Sequence, residues 1–366
     1  MKPHRPDKLL ITLFVVLLCL GLFSLFDASS VRGQIAYNNP FYYLQKQVLF
    51  LVAGMVVFWI MYKVPHQFWK KFAFLIILAG FASMLLVFMP HIGLSLKGAT
   101  RWIALGSFTV QPSEFFKLCL IIYLASFLSK HQDKLDDFTE TTMPIGIILG
   151  ATALVLAAQR SLGVLLITLL IAGFVYFLSG APLKALAILG AVFAVVAIVL
   201  IKTEPYRMQR VLTFLHPDAA NAQGSGYQVN QALIGIGSGG MFGVGLGHSR
   251  QKFSFLPETM GDSIFAIWAE ETGFAGVSAL LVLIGLFVWR GFTAARYSKD
   301  LYAKLLAAGI TCWIAVQTLF NIAAISGLIP LSGIPLPFFS YGGSALISIL
   351  AAYGLLLNVS CYTVKK

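Results

Sequence analysis

One carboxylate, that of Asp262, ends a long polar connection, residues 202–262, and stands directly before an apolar run. A charge at the edge of a membrane segment is costly unless it is paired, hydrated or functional, so we interpret Asp262 as a candidate site residue. The alternative is that Asp262 caps a helix beginning at Ser263, because Asp is a preferred N-cap residue. A lone carboxylate without a Ser or His partner indicates general-base or metal-binding chemistry rather than acyl transfer.

A second candidate cluster lies in the stretch KGATRWIALGSFTVQPSEFFK, residues 97–117. Pro112 and Glu114 are typical of the first turn of a helix. Glu114 and Lys117 stand three residues apart, so a helix places them on one face, where they can neutralise one another. One interpretation is a purely structural ion pair, because unpaired charges inside a membrane are expensive. The other is that the embedded lysine marks a site for an anionic headgroup.

Arginines in two of the connecting segments suit the recognition of phosphate. Arg207 and Arg210 lie on one face if their segment is helical, and Arg101 precedes the helix start at Pro112. Arginine offers several planar donors to phosphate, whereas lysine acts as a point charge. The residues therefore predict an enzyme or carrier that handles an anionic, phosphate-bearing lipid.

Two further motifs concern the backbone. GIGSGG, residues 235–240, matches the pattern GxGxxG, but no strand–turn–helix unit surrounds it, so we exclude a dinucleotide site. Its glycines predict tight turns near a membrane-bound ligand, or flexibility. The proline-rich segment 330–339 predicts irregular backbone, which at membrane depth lines a cavity or is buried in protein.

The composition requires that these residues be positioned by membrane-spanning helices. Of the 366 residues, 58% are hydrophobic and 11% are charged, which is more apolar surface than one water-soluble core can bury. Uncharged runs approach the roughly 20 residues that cross a bilayer. The predicted fold is all-α and polytopic: a single transmembrane domain, residues 1–366, with ten helices and a large extracytoplasmic loop, 202–262, between helices 7 and 8. The predicted spans are centred in residues 9–26, 47–62, 72–89, 113–129, 143–159, 162–178, 185–201, 263–289, 305–325 and 341–362.

The formal charge of +12 indicates membrane orientation rather than a nucleic-acid partner, since the basic residues are spread between apolar runs. With the N-terminus inside, fifteen basic residues fall in cytoplasmic segments and five in the short outer segments. The positive-inside rule therefore predicts cytoplasmic termini and places loops 92–112, 202–262 and 330–339 on the outer face. All four cysteines lie within apolar runs, so neither a disulfide framework nor a CxxC metal pair is expected.

Several long motifs follow one another along nearly the whole chain. They are KGATRW (97–102), QPSEFFK (111–117), the Arg207/Arg210 pair followed by FLHPD, GLGHSRQKFSFLPETMGDSIFAIWAEETG (245–273) and GIPLPFFSYGGSAL (333–346). In this order they resemble the SEDS family (shape, elongation, division, sporulation) of bacterial cell-wall proteins. The motifs SRQKF, LPE and DSIFA resemble those of the division member FtsW more than those of the elongation member RodA.

This resemblance implies a ten-span peptidoglycan glycosyltransferase of the bacterial cytoplasmic membrane, which polymerises undecaprenyl-linked lipid II into glycan strands. It implies a class B penicillin-binding transpeptidase as a partner, along with other membrane proteins of cell division or elongation. Asp262 would be the general base that takes the proton of the acceptor hydroxyl, and Glu114 would position Lys117. The candidates for holding the pyrophosphates are Arg101, Lys117, Arg207 and Arg210. A divalent cation could share that task, although the sequence shows no clear ligand cluster.

The chain departs from the family pattern after the fifth predicted span. Where members usually carry Pro-Asp-Leu-Gly, residues 159–163 read Gln-Arg-Ser-Leu-Gly, so an acid near Ser161 is missing and Arg160 is present. Either that acid is dispensable and Arg160 adds a phosphate contact, or this is a divergent and weakened member. Two other functions stay open: a lipid II flippase, and a scaffold that activates its transpeptidase without catalysing polymerisation.

Overall fold

The computed structural model describes residues 4–96, 98–106, 108–215, 225–253 and 255–363, so Lys97 of the KGATRW motif and residues 216–224 of the long loop lie outside it. The described chain is mostly helical, which confirms the predicted all-α class. In chain order its helices are α1 (Lys8–Tyr37), α2 (Tyr42–Lys63), α3 (His66–Lys71), α4 (Ala73–Leu85), α5 (Pro112–Lys130), α6 (Met143–Ala158), α7 (Leu162–Leu178), α8 (Leu183–Thr203), α9 (Pro205–Leu215), α10 (Ser225–Ser238), α11 (Ile264–Arg296), α12 (Leu301–Ile325) and α13 (Gly343–Ser360). Short turns of 3-10 helix cover Leu86–Phe88 and Gln132–Lys134, and a π-helical turn covers Phe138–Thr142.

Eight of the described helices are long and apolar enough to cross a membrane. They are α1, α2, α5, α6 with the turn before it, α8, α11, α12 and α13. Two shorter apolar helices, Ala73–Phe88 and Leu162–Leu178, coincide with the third and sixth predicted spans. The chain is therefore a multi-pass membrane protein, and the exact number of ten crossings stays a prediction.

The most buried helices are α5, α12 and α13. Helix α13 packs against α2, and α12 packs against α11, α7 and α5. Helix α8 lies outside this group, and its apolar side chains such as Leu183 and Val195 are exposed, as expected for a surface in contact with lipid. Candidate residues on α5 and α12 therefore lie in the interior of the helix bundle.

A three-stranded antiparallel sheet forms within the segment 92–112, for which only a loop was predicted. Its strands are β1 (Gly93–Leu96), β2 (Ala99–Leu105) and β3 (Phe108–Val110), in the order β1-β2-β3. Leu94 pairs with Trp102, and the register shifts just after Leu94, as in a β-bulge. The central strand carries Arg101, and the chain enters α5 at Pro112, so the sheet fixes this arginine relative to the start of α5.

A break in α11 at Gly273 explains the glycines that precede this helix. Gly273 has φ +63° and ψ −165°, a region open essentially to glycine alone. Amides of residues 244 and 245 donate to the carbonyls of residues 270 and 271, and amides 274 and 275 donate to carbonyls 240 and 241. A Cβ atom on Gly243 would lie 2.0 Å from the Glu271 carbonyl oxygen. The glycines therefore permit close packing of the two backbone segments. This packing provides hydrogen-bond partners for the backbone groups that the break in the helix leaves free.

Replacing Gly273 with alanine is expected to lower the thermal unfolding midpoint of the purified protein in detergent. The backbone conformation alone costs a non-glycine residue about 1–3 kcal/mol. The added Cβ atom would also lie 2.3 Å from the Gly243 nitrogen, so one of the two segments has to move. The matched control is Gly285→Ala in the same helix, where a Cβ atom meets nothing within 4 Å. Equal unfolding midpoints for the two variants would contradict this account of the break.

Candidate active site

Asp262 lies in the turn before α11 and is held by side chains from two other helices. Gln228 Nε2 donates to Asp262 Oδ1 at 3.2 Å and to Ser263 Oγ at 2.9 Å. Asn321 Nδ2 donates to the backbone carbonyl of Asp262 at 2.8 Å, and also to a carbonyl of segment 330–339 at 2.7 Å. Helices α10 and α12 and this irregular segment therefore fix the position of the carboxylate together.

The alternative interpretation, in which Asp262 caps the following helix, is wrong. Helix α11 begins at Ile264, and Ser263 occupies the N-cap position without a side-chain capping hydrogen bond. The Asp262 carboxylate accepts its hydrogen bond from Gln228 on α10 instead. The Asp262 carboxylate therefore does not occupy the N-cap position of α11.

The surroundings of Asp262 change its acidity. Burial and the charge of nearby Glu258 raise the pKa of Asp262 to about 6, although the Arg210 guanidinium opposes the shift. Asp262 and Arg210 come together at Gly333, where a Cβ atom would lie 3.9 Å from both Asp262 Oδ2 and Arg210 Nη1. A carboxylate with a pKa near 6 is ionised at neutral pH and is a stronger base than an ordinary aspartate.

A cavity of 570 Å³ opens beside this turn, between the sheet, α5, α7, α9 and residues 329–335. Four of the predicted site residues line it: Arg101, Glu114, Arg207 and Arg210. Gly333 also lines it, and the Asp262 carboxylate lies next to Gly333 and Arg210 at this edge of the cavity. The volume is typical of a small-molecule site. The predicted irregular backbone of segment 330–339 is confirmed, and its first half forms one wall.

The predicted ion pair between Glu114 and Lys117 is present and buried inside the bundle. Lys117 Nζ lies 2.8 Å from Glu114 Oε2, and the two side chains are 1% and 2% exposed. Lys117 also donates to Gln317 Oε1 at 2.7 Å and lies 4.8 Å from the centre of the Trp313 ring. Gln317 Nε2 in turn donates to the carbonyl of Pro335 at 3.0 Å. Glu114 lines the cavity, whereas Lys117 is not among its lining residues. The prediction had Glu114 positioning Lys117 for contact with the substrate, but in the structure it is Glu114 that faces the cavity.

The three candidate arginines are each oriented by a backbone carbonyl. Arg207 Nη1 donates to a carbonyl near the end of α8 at 2.8 Å, and Arg210 Nη1 donates to a carbonyl of segment 330–339 at 2.7 Å. Arg101 Nε donates to the carbonyl of Gln159 at 3.3 Å. Because α9 is helical, Arg207 and Arg210 share a face as predicted, and both side chains reach the same cavity as Arg101.

Both residues that depart from the family pattern line this cavity as well. Arg160 has a left-handed backbone, with φ +56°, and its Nη2 lies 3.4 Å from Glu204 Oε1. Ser161 is 2% exposed, and its Oγ has no hydrogen-bond partner among the described residues. At the position where the resemblance predicted an acid, this protein therefore has a small hydroxyl group beside the Arg160 cation.

Three amide side chains of the site were not predicted from the sequence: Gln228, Gln317 and Asn321. Gln317 and Asn321 are four residues apart in a run without charges, so they lie on one face of α12, and this spacing was a usable signal. Gln228 stands in the glycine-rich stretch, where the sequence offered no comparable signal. Uncharged amide side chains thus hold the charged residues in place: Gln228 and Asn321 donate to Asp262, and Gln317 accepts from Lys117.

Buried charges anchor the motif GLGHSRQK, residues 245–252, which precedes Asp262. Lys252 Nζ lies 2.8 Å from Asp27 Oδ1 on α1 and 3.0 Å from Glu271 Oε1 on α11. Backbone amides of the motif donate to the carboxylates of Glu270 and Glu271. The segment leading to Asp262 is therefore tied to two membrane helices.

Within the described ranges, no group of three or more His, Cys, Asp or Glu side chains is placed to hold a metal ion. Divalent ions such as Mg²⁺ favour carboxylate oxygens and often share their coordination with substrate phosphates. Glu114 and Glu204 contribute carboxylates to the described cavity wall. A divalent cation at this site stays a prediction.

Comparison with known proteins was made with the sequence and with the fold. The family of FtsW, RodA and SpoVE, described as "Cell cycle protein", matches residues 7–365. Stage V sporulation protein E of Bacillus subtilis (strain 168) is 38% identical over 99% of both chains. A probable peptidoglycan glycosyltransferase FtsW of Geobacter sp. (strain M18) is 38% identical over 97% of this chain and 96% of the relative.

Solved structures resemble this fold along nearly the whole chain. A chain from a peptidoglycan synthase complex, studied for its coordination of polymerization and crosslinking, matches with a TM-score of 0.81 and 26% identity over 97% of both chains. The rod shape determining protein RodA of Thermus thermophilus matches with a TM-score of 0.71 and 26% identity over 99% of this chain and 98% of RodA. Several of the similar curated relatives carry the name FtsW, in agreement with the predicted closeness to FtsW. The chain belongs to the FtsW/RodA/SpoVE family, which is the SEDS family that its motifs predicted.

Proposed function

We propose that this protein is a peptidoglycan glycosyltransferase that joins lipid II units into glycan strands at the outer face of the bacterial cytoplasmic membrane. The observation that carries the proposal is the 570 Å³ cavity, which four arginines line and whose wall at Gly333 is next to the Asp262 carboxylate. Family membership supports the same activity, since relatives carry the name peptidoglycan glycosyltransferase. The protein would work with a class B penicillin-binding transpeptidase and with other membrane proteins of division or elongation.

The proposed reaction is a displacement at the anomeric carbon of the donor sugar. Asp262 accepts the proton of the acceptor hydroxyl while that oxygen forms the new glycosidic bond, and the bond to undecaprenyl pyrophosphate breaks. Arg207 and Arg210 stabilise the charge that develops on the departing pyrophosphate. Arg101, on the sheet, binds the same pyrophosphate. Such stabilisation of developing charge is usually a large part of catalysis. Lys117 contributes through Glu114 and Gln317 rather than by direct contact with the phosphates.

Arg160 belongs to the same group of cations in this proposal. Its side chain lines the cavity, which supports the alternative in which the missing family acid is dispensable and Arg160 adds a phosphate contact. The nearby Glu204 keeps Arg160 beside α8 and α9. The positive-inside distribution supports the orientation proposed with this function, in which both termini are cytoplasmic and segment 202–262 is outside.

The test is polymerisation of purified lipid II by the purified protein, with and without its transpeptidase, read as a ladder of glycan strands on a gel. We expect a ladder in the presence of the partner. A folded protein that produces no ladder with its partner but moves lipid II across vesicle membranes would be a flippase. A folded protein that does neither, yet stimulates the transpeptidase, would be a scaffold.

The rate of polymerisation is expected to depend on pH through Asp262. A general base must be ionised, so with a pKa of about 6 the rate should rise with pH through about 6 and level off above it. Glu258→Gln removes a negative charge that raises this pKa, so its midpoint should move to lower pH. The measurement is the initial rate of lipid II consumption between pH 5 and pH 8.

The matched control for this pH profile is Glu140→Gln, at an exposed glutamate that pairs with Lys134 and is not one of the lining residues of the cavity. This variant should keep the midpoint of the unchanged protein. A midpoint that stays in place after Glu258→Gln, or that moves upward, would mean that another group titrates in the profile.

A further inference from the structure

A second cavity, of 800 Å³, lies at the end of α11 that is remote from Asp262. It is formed by the segment that leads into α1, the last turns of α11 and residues near the C-terminus. Its basic lining residues are His4, Arg5, Lys8, Arg290 and Arg296. We call it the basic cleft. Residues 274 to 290 of α11, which follow the break at Gly273, span roughly 25 Å, so most of the length of α11 separates the basic cleft from Asp262.

Contacts between the two ends of the chain build the basic cleft. The backbone amide of His4 donates to the Cys361 carbonyl at 2.9 Å, and the His4 ring lies 3.1 Å from the Thr363 carbonyl. Thr363 also pairs with Ser298 in an isolated β-bridge. These contacts connect the N-terminal segment, the end of α11 and the C-terminal segment, so the walls of the cleft are preformed.

The charge of the basic cleft is strongly positive. Among the described lining residues, one, Asp7, is acidic. Its Oδ2 lies 2.5 Å from Arg290 Nε, so its charge is paired with that arginine. Arg5, Lys8 and Arg296 also line the cleft and are exposed. An anion that enters the cleft therefore meets several cations from two separate helices, and Arg side chains favour phosphate oxygens in particular.

The basic cleft also has an apolar side at the membrane boundary. Leu9 and Trp289 line it and are 36% and 58% exposed. Tryptophan is typical of the boundary between water and lipid, and α1 and α11 are both candidate membrane spans that end here. A ligand for this place combines an anionic head with hydrocarbon tails.

We propose that the basic cleft binds the phosphodiester headgroup of an anionic phospholipid, with its tails along Leu9 and Trp289. Clusters of Lys and Arg next to a membrane span attract anionic lipid headgroups of the cytoplasmic leaflet, the leaflet that the predicted orientation assigns to the basic cleft. The site is separate from the cavity beside Asp262, so it does not depend on the proposed polymerase activity.

The test uses the full-length protein in neutral detergent, titrated with phosphatidylglycerol or phosphatidylcholine and analysed by native mass spectrometry. The unchanged protein should retain phosphatidylglycerol in preference to phosphatidylcholine. The triple variant Arg5→Gln/Lys8→Gln/Arg296→Gln should bind phosphatidylglycerol about tenfold more weakly or worse, because each basic residue near a membrane surface contributes substantially to the attraction. Its affinity for phosphatidylcholine should not change.

The matched control removes three exposed lysines outside the basic cleft, at the same predicted membrane face: Lys63→Gln/Lys130→Gln/Lys184→Gln. This control should retain phosphatidylglycerol as the unchanged protein does, and equal losses in the two triple variants would overturn the proposal.

A second experiment, competition with inorganic phosphate, distinguishes a lipid headgroup from free phosphate as the ligand. If phosphate at the same concentration displaces the lipid and binds equally well, the cleft is a free-phosphate site and the lipid proposal is wrong. If the first triple variant fails to fold, Arg296→Gln alone is compared with Lys130→Gln, with the same two outcomes.

Discussion

Asp262→Asn is expected to lower the rate of glycan polymerisation by about 10²- to 10⁴-fold, the contribution typical of a positioned general base. Asparagine keeps an Oδ1 acceptor for Gln228 and leaves the backbone carbonyl for Asn321, so the hydrogen bonds that hold the turn can persist. What is lost is the ability to accept a proton. The measurement is the initial rate of lipid II consumption at pH 7.5, with the partner transpeptidase present.

Two controls separate loss of the base from loss of the fold. The thermal unfolding midpoint of Asp262→Asn should match that of the unchanged protein, and so should its affinity for lipid II, because the arginines of the cavity are untouched. Asp133→Asn, at an exposed aspartate in another segment, should polymerise normally. Undiminished polymerisation by a well-folded Asp262→Asn protein would remove Asp262 from the mechanism.

Lys117→Met is expected to destabilise the protein by about 3–5 kcal/mol, the cost typical of removing one partner from a buried ion pair. Glu114 is 2% exposed and would lose the ammonium group 2.8 Å away, which leaves a buried carboxylate without its cation. Gln317 would lose a hydrogen-bond donor as well. The thermal unfolding midpoint in detergent, together with unfolding by increasing sodium dodecyl sulfate, measures the effect.

The double variant Glu114→Gln/Lys117→Met should recover much of this stability, because it leaves no unpaired charge. The control pair is Lys134 and Glu140, which lie 2.5 Å apart but are exposed, so Lys134→Met should leave stability unchanged. If Lys117→Met is as stable as the double variant, the ion pair does not carry the predicted energy. If the double variant is stable but does not polymerise, the pair acts on the substrate as well as on the fold.

The features of the site that depend on residues close together in the sequence could be predicted from helix-start preferences and side-chain spacing. Pro112 and Glu114 marked the start of α5, and the three-residue spacing of Glu114 and Lys117 predicted their ion pair. The prolines of segment 330–339 predicted its irregular backbone. Hydrophobic runs predicted the positions of the apolar helices, because a bilayer imposes both their length and their composition.

Contacts between distant segments could not be predicted in this way. Gln228 and Asp262 are 34 residues apart, and Lys117 and Gln317 are 200 apart, so no periodicity connects them. The small sheet around Arg101 was missed because two of its strands, of four and three residues, are too short to show an alternating pattern. Asp262 is of a residue type that is preferred at helix N-caps and stands at the right place in the sequence. In the structure, however, its carboxylate accepts a hydrogen bond from Gln228 on another helix, and Ser263 is the N-cap residue.

The chain of hydrogen bonds from Glu114 through Lys117 and Gln317 to the Pro335 carbonyl crosses the interior of the bundle. Glu114 on α5 and Pro335, which is bound to Gln317 on α12, line the same cavity, so the distance between α5 and α12 affects how far apart these two parts of its wall lie. A small tilt of one helix against the other would widen or narrow the reaction chamber. The width of the cavity therefore depends on how α5 packs against α12 in the interior of the helix bundle.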